Sequence, residues 1–213
     1  MTPQRLRITY AVDGPLRYAS NLDLVRAWAR ATRRAGLVPL YSGGFNARPR
    51  IQNGAALPVG FSARGEMVDL WLSQRVEIAA ARQALAAVLP AGLAIRHVVE
   101  VDEAEPALPT RVQAAEYAVT VETGEPHHEI RQRVANLLSA ASLPRERRGR
   151  PYDLRPLIEE LAVAQERAGA VLLHMRLAAR EGATGRPEQV LDALGLEEGF
   201  FTICRQRLLL SEG

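Results

Sequence analysis

The chain has 213 residues, of which 47% are apolar and 24% charged, with a formal net charge of +3. That length suffices for one large core or two small ones. All 27 basic residues are Arg, and Cys204 is the only cysteine. Schiff-base and P-loop lysine chemistry are thereby excluded, as are a disulfide scaffold, cysteine-ligated zinc and an iron–sulfur cluster held by this chain alone.

RLRITYAV (5–12) alternates Leu6, Ile8, Tyr10 and Val12 on one face, a strand pattern broken by Asp13-Gly14-Pro15. A helix follows over 20–36: Ser20 is placed to cap it, Asp23 to complete the cap and favour the positive dipole end, and Gly36 to stop it. The spacing of Leu22, Val25, Ala29 and Thr32 assigns them to its inner face. Short apolar pieces lie around 37–41 and 55–59, and EMVDLWL (66–72) alternates again. EIAAARQALAAVL (77–89) reads as an Ala/Leu helix closed by Pro90 and Gly92, and LAIRHVVEV (93–101) as a strand.

The order β-α-β-β-α-β over 5–101 is that of a ferredoxin-like unit. DEAEPALPTR, within 102–112, reads as a linker. Over 113–213 the order begins again. AAEYAVTVE (114–122) is a strand and HHEIRQRVANLLSA (127–140) a helix, followed by a basic irregular piece. A hairpin turns at Arg167-Ala168-Gly169, PEQVLDALG (187–195) is a helix and FFTICRQRLLL (200–210) the last strand. The expected fold class is α+β: two ferredoxin-like βαββαβ units in tandem, with antiparallel sheets and helices on one face.

Charge is distributed unevenly. Residues 1–100 carry thirteen arginines against six acids, and residues 101–213 fourteen against eighteen. Within 16–50, Arg17, Arg26, Arg30, Arg33, Arg34, Arg48 and Arg50 face a single acid, Asp23. Arg26, Arg30 and Arg34 recur every fourth residue, with Arg33 beside them, and such a like-charged ladder weakens an isolated helix. An anion held along this ridge would offset that cost, and nucleic-acid phosphate fits best. The loop YSGGFNARPR (41–50) adds Tyr41 and Phe45 as stacking candidates, and Ser42, Asn46, Arg48 and Arg50 as polar donors around Gly43-Gly44. A second basic cluster holds Arg145, Arg147, Arg148 and Arg150, followed by Tyr152, Asp153 and Arg155. Gly182-Ala-Thr-Gly185-Arg186-Pro187 precedes a helix and is a weak anion-site pattern.

No Walker, Rossmann or nucleophile-elbow pattern is present. Adjacent His127 and His128 point in different directions, so they make a poor metal pair. The opening residues lack the apolar centre of a secretory leader, and no stretch approaches a membrane span. A cytoplasmic location with no membrane partner is expected.

The stretch Tyr18-Ala-Ser20-Asn21-Leu22-Asp23-Leu24-Val-Arg26 resembles the S-H-L-D-L-x-R signature of a bacterial family called the radical SAM-linked proteins. Arg33-Arg34-Ala-Gly36-Leu, Tyr41-Ser42-x-Gly44-Phe45-Asn46-x-Arg48-Pro49-Arg50, Leu57-Pro58-Val59-Gly60, Asp153-Leu154-Arg155-Pro156 and Arg186-Pro187 continue the likeness. Asn21 stands where that family usually has His, and Ala47 where it usually has Pro, so an acid–base role cannot transfer to position 21. The resemblance implies a partner: a radical S-adenosylmethionine protein carrying an iron–sulfur cluster and S-adenosylmethionine and, in some members, cobalamin. The expectation is a non-catalytic binding protein for such a partner that recognises RNA, transfer or ribosomal, through its arginines. An RNA-processing enzyme in its own right, or a protein-only subunit gripping an acidic partner, are the alternatives.

Overall fold

The computed structural model describes residues 3–147 and 149–211. The chain forms two compact units, Met1–Val112 and Gln113–Gly213. It is α+β, with mostly antiparallel strands.

In the first unit, β1 (Gln4–Val12) lies between β3 (Ser62–Leu72) and β4 (Leu93–Val101), antiparallel to both. The short β2 (Ile51–Asn53) pairs with β3, so the strand order is β2-β3-β1-β4. The alternation read from the sequence sends Leu6, Ile8, Tyr10 and Val12 into the core, opposite Val68 and Leu70 of β3. Helix α1 (Asn21–Arg34) covers this face, its Trp28 ring edge-on to Tyr10 at 5.0 Å. The predicted inner face of α1 is corrected: Leu24, Ala27, Trp28, Ala31 and Thr32 are buried, whereas Leu22 is 52% exposed and Val25 and Ala29 only half-buried. The apolar stripe at 24, 27, 28 and 31 is the wider of two on this helix, and burial of Trp28 favours it. Helix α2 (Ile78–Ala86) buries Ala81 and Leu85. Gly92 (φ +95) turns the chain into β4, where its carbonyl accepts from Asp13 N at 2.9 Å.

The other face of β1 carries charge inward. Arg5 and Arg7 are almost fully buried, and both grip the fully buried Asp69 of β3. Arg5 Nε donates to Asp69 Oδ2 (2.9 Å), and Arg7 Nε and Nη2 donate to Oδ1 and Oδ2 (both 2.9 Å). The segment after β4, read from composition as a linker, supplies the remaining acceptors. Arg5 donates to the carbonyls of Glu105 (2.7 Å) and Pro106 (3.0 Å), and Glu105 Oε2 takes Arg7 at 3.2 Å and Arg111 at 2.8 Å. A short helix, α3 (Leu108–Arg111), closes the segment, with Leu108 buried.

The second unit is built on β5 (Val112–Glu122), flanked by β9 (Ala170–Arg180) and β11 (Phe201–Leu210). Strand β8 (Ile158–Arg167) pairs antiparallel with β9 across a tight turn at Ala168-Gly169, and β10 (Ala183–Thr184) pairs with the end of β9. Helices α4 (His127–Ser139) and α5 (Pro187–Leu194) bury Ile130, Val134 and Leu137, and Val190, Leu191 and Leu194. One correction concerns the basic piece read as irregular: Pro144–Arg147 (β6) and Arg150–Asp153 (β7) form a two-stranded hairpin. Glu116, itself buried, accepts from the exposed Arg207 through Nε (2.6 Å) and Nη2 (2.9 Å) and from Arg176 Nη2 (2.9 Å). The Arg207 hydrogen bond, seconded by Arg176, lowers the Glu116 carboxyl from 4.5 to about 2.

Candidate functional site

The α1 N-terminus is built as its sequence requires. Ser20 Oγ accepts from Asp23 N at 3.2 Å and donates to Asp23 Oδ2 at 2.7 Å, which chiefly holds the Asp23 carboxyl below its ordinary value. Asp23 Oδ1 also meets Arg26 at 3.3 Å. Asn21 Oδ1 accepts from Asn53 Nδ2 at 2.8 Å, tying the helix start to β2. These three predicted site residues therefore brace the helix, and none of them lines the groove described next.

One side of α1 and the hairpin after it enclose a groove of about 900 Å³. Arg26, Arg30 and Arg33 rise from the helix, and Ser42, Arg48 and Arg50 from the hairpin. Angular spacing explains the membership: Arg26 falls between Arg33 and Arg30 around the helix, whereas Arg34 is rotated beyond Arg30, away from Leu22 and Ala29, and does not line the groove. Leu22, Val25 and Ala29, the stripe expected to face the core, lie along its floor with Pro49 and Ile51. Among the described residues, Arg30, Arg33 and Arg48 have no carboxylate within ion-pair distance, whereas Arg50 meets Glu103 at 3.3 Å.

The hairpin is held by backbone. Ser42 N donates to Arg48 O (2.8 Å), Arg50 N to Leu40 O (2.7 Å), and Tyr41 bridges Pro49. Its tip, turned by Gly44 at φ 102°, carries a fully exposed Phe45. Tyr41, Phe45 and Asn46 are exposed but do not line the groove.

Sequence reasoning missed the far wall: Arg5, Trp71, Gln52 and Glu105. The signal was present in the strand alternation, which puts Asp69 and Trp71 on the face opposite Val68 and Leu70. Trp71 is buried, and its ring receives two guanidinium groups, Arg5 at 4.8 Å and Arg50 at 4.2 Å from the centroid. Among the described residues, the Trp71 indole Nε1 is buried without a hydrogen-bond partner.

The second cluster divides. Arg150, Tyr152 and Asp153 line a separate hollow of about 700 Å³ with Arg147 and Thr184. Asp153 is a brace there: its Oδ1 accepts from Leu143 N (2.7 Å) and Arg155 N (2.9 Å), the former chiefly holding its carboxyl below the ordinary value. Arg155 is spent on structure, donating to Leu138 O at the C-terminal end of α4 (2.9 Å) and to Ile158 O (3.0 Å). Arg186 precedes α5 and is exposed. Arg148 lies outside the described residues. Burial pushes the Tyr152 hydroxyl up from its ordinary value, and it donates to Gln189 Oε1 at 3.0 Å. Among the described residues no group of three His, Cys, Asp or Glu side chains is arranged around a common metal position, and no helix is long and apolar enough to cross a membrane.

An α+β protein with an arginine-walled, apolar-floored groove in its first unit is the class these features define. The sequence profile of a family described as "Uncharacterized protein conserved in bacteria (DUF2344)" matches residues 5–187, and the chain belongs to that family. No curated protein matches the sequence. Among solved structures, the chain is similar to one in the "Structure of H/ACA RNP bound to a substrate RNA containing 2'-deoxyuridine", at 14% identity and a TM-score of 0.48, over 93% of this chain and 47% of that one. It is similar to one in the "Crystal Structure of a Cbf5-Nop10-Gar1 Complex", at 14% identity and 0.49, over 93% and 48%. The small subunit of acetolactate synthase from Thermotoga maritima gives 13% and 0.28, over 98% and 96%. The chain spans about half the length of the first two.

Proposed function

We propose that the first unit is a recognition module that binds RNA by its phosphates, and that the chain serves as a non-catalytic accessory to a radical S-adenosylmethionine protein. The observation that carries the RNA reading is the groove: Arg30, Arg33 and Arg48 converge on it with no carboxylate partner among the described residues. Unpaired guanidinium groups sharing one concavity repel each other and are stabilised by a polyanion. The partner role rests on the resemblance of the Tyr18–Arg26 and Tyr41–Arg50 motifs. The iron–sulfur cluster, S-adenosylmethionine and any cobalamin belong to that partner in this reading, because a single cysteine cannot supply a three-cysteine ligand set. The strand order β2-β3-β1-β4, repeated as β8-β9-β5-β11, supports reading both units as ferredoxin-like, with the β6–β7 hairpin added in the second.

The test is a fluorescence-anisotropy titration of structured and single-stranded RNA across salt concentrations. Three to five phosphate contacts give a log–log slope of roughly −2 to −3.5 on single strands. The double substitution Arg30→Ala/Arg33→Ala is expected to weaken binding and to flatten that slope by about 1.4, two contacts at about 0.7 each. Absence of affinity for any RNA at low salt refutes the reading.

A further inference from the structure

Phosphate binding accounts for the arginines of the groove, but not for its floor. Leu22, Val25, Ala29, Pro49 and Ile51 form an apolar strip along the groove, with Leu22 half exposed and the other four half-buried. A ligand that contacted only cations would leave this strip wet. Arg50, which lines the groove, is held by two contacts. Its guanidinium lies over the Trp71 ring at 4.2 Å, and its Nη1 meets Glu103 at 3.3 Å. The Arg50 side chain nevertheless stays 44% exposed, so it is not closed off by these contacts. A planar cation pinned on an aromatic ring, beside an apolar strip, is the surface on which an unpaired base stacks. The strip is a single row on α1, too narrow for the broad apolar face by which an amphipathic peptide helix docks.

Resting on the phosphate reading above, we infer that the groove takes an unpaired nucleotide of single-stranded RNA. Its base stacks on the Arg50 guanidinium and covers Val25 and Ala29, while Arg30, Arg33 and Arg48 hold the flanking phosphates. Trp71 and Glu103 are positioning residues: they hold the Arg50 guanidinium in place. In this arrangement Arg50 contributes shape as well as charge, which distinguishes it from the helix arginines. A paired base inside a duplex cannot present its face to Arg50, so single strands bind better than duplexes of the same length.

The test crosses a substitution with a chemical deletion on the ligand. Arg50→Lys keeps the charge and loses the plane. On a single-stranded oligonucleotide, R50K is expected to lose roughly 5- to 150-fold in affinity, the range of one stacked base. On an oligonucleotide of the same length with abasic sites, phosphates remain and bases do not. There the native chain is expected to bind more weakly, and R50K to match it. Arg33→Lys, on the helix, should lose similarly little on both ligands, and unchanged circular dichroism melting of each variant shows that the fold is kept. Equal loss by R50K on both ligands overturns the inference, as does equal affinity of the native chain for base-bearing and abasic strands. Either result leaves phosphate binding standing. No binding of any strand refutes the phosphate reading itself, and this inference with it. A poly-glutamate peptide that binds as tightly as the oligonucleotide also overturns the inference, since base stacking then contributes nothing.

Discussion

Asp69 is the residue on which the sheet face opposite α1 depends. Its two oxygens receive four hydrogen bonds from Arg5 and Arg7, and all three side chains are buried or nearly so. A buried charge cluster of this kind adds little net stability over an apolar equivalent, yet removing one partner strands the others. Asp69→Asn is therefore expected to cost on the order of 3 kcal/mol in urea unfolding at neutral pH. A loss under about 1 kcal/mol would mean that the guanidinium groups find other acceptors. The same residue scale separates Arg30 from Arg155. Both looked like anion ligands in the sequence, but Arg155 donates to two backbone carbonyls while Arg30 projects into the groove. Residue type and local spacing do not distinguish the two fates, because the acceptor carbonyl of Leu138 belongs to another element.

At the scale of elements, alternation and capping signals were legible wherever local chemistry decides the outcome. β1, α1, α2, β4, β5, α4, α5 and β11 lie within a few residues of their expected bounds, and Ser20 caps α1 as its type and position suggest. The rest escaped for identifiable reasons. The β6–β7 hairpin is polar on both sides and carries no apolar period to read. Of the four residues expected on the α1 inner face, Thr32 is buried, but Leu22, Val25 and Ala29 belong to a second stripe that lines the groove. The arginine spacing of the groove was visible, but its floor and its Trp71 wall were not, since both depend on which side of each element faces the sheet. Turns also decide element geometry. At Gly92 a Cβ would sit 2.5 Å from the Asp13 carbonyl oxygen, and φ is +95°. Gly92→Ala is expected to lower stability by about 2 kcal/mol or more, from clash and left-handed strain together. Gly44→Ala, with φ +102° but open space around it, should cost about 1 kcal/mol. Equal melting temperatures for the two variants would show that the Asp13 contact relaxes freely.

Over the molecule, the carboxylates set the response to acid. Glu116 titrates at about 2 when folded, against an ordinary 4.5. A depressed folded value means that its contribution is complete above about pH 4.5 and is lost as the pH falls through 2. The contribution is on the order of 2 kcal/mol, less than the full shift implies, because Arg207 is largely exposed and screened. Urea unfolding followed by circular dichroism should show falling stability between pH 4.5 and 2.5, and Glu116→Gln should flatten that fall in proportion. A Glu116→Gln profile parallel to that of the native chain would assign the acid response elsewhere.

The clasp around Arg5 also bears on how the chain can be dissected. Residues 102–111 have the acids and prolines of a dispensable tether, yet they supply Glu105 and the carbonyls that enclose the Arg5 guanidinium. Scissors placed after Val101 would strip a buried cation of most of its cage and leave Arg7 with Asp69 alone. A cut after Val112 keeps the cage whole.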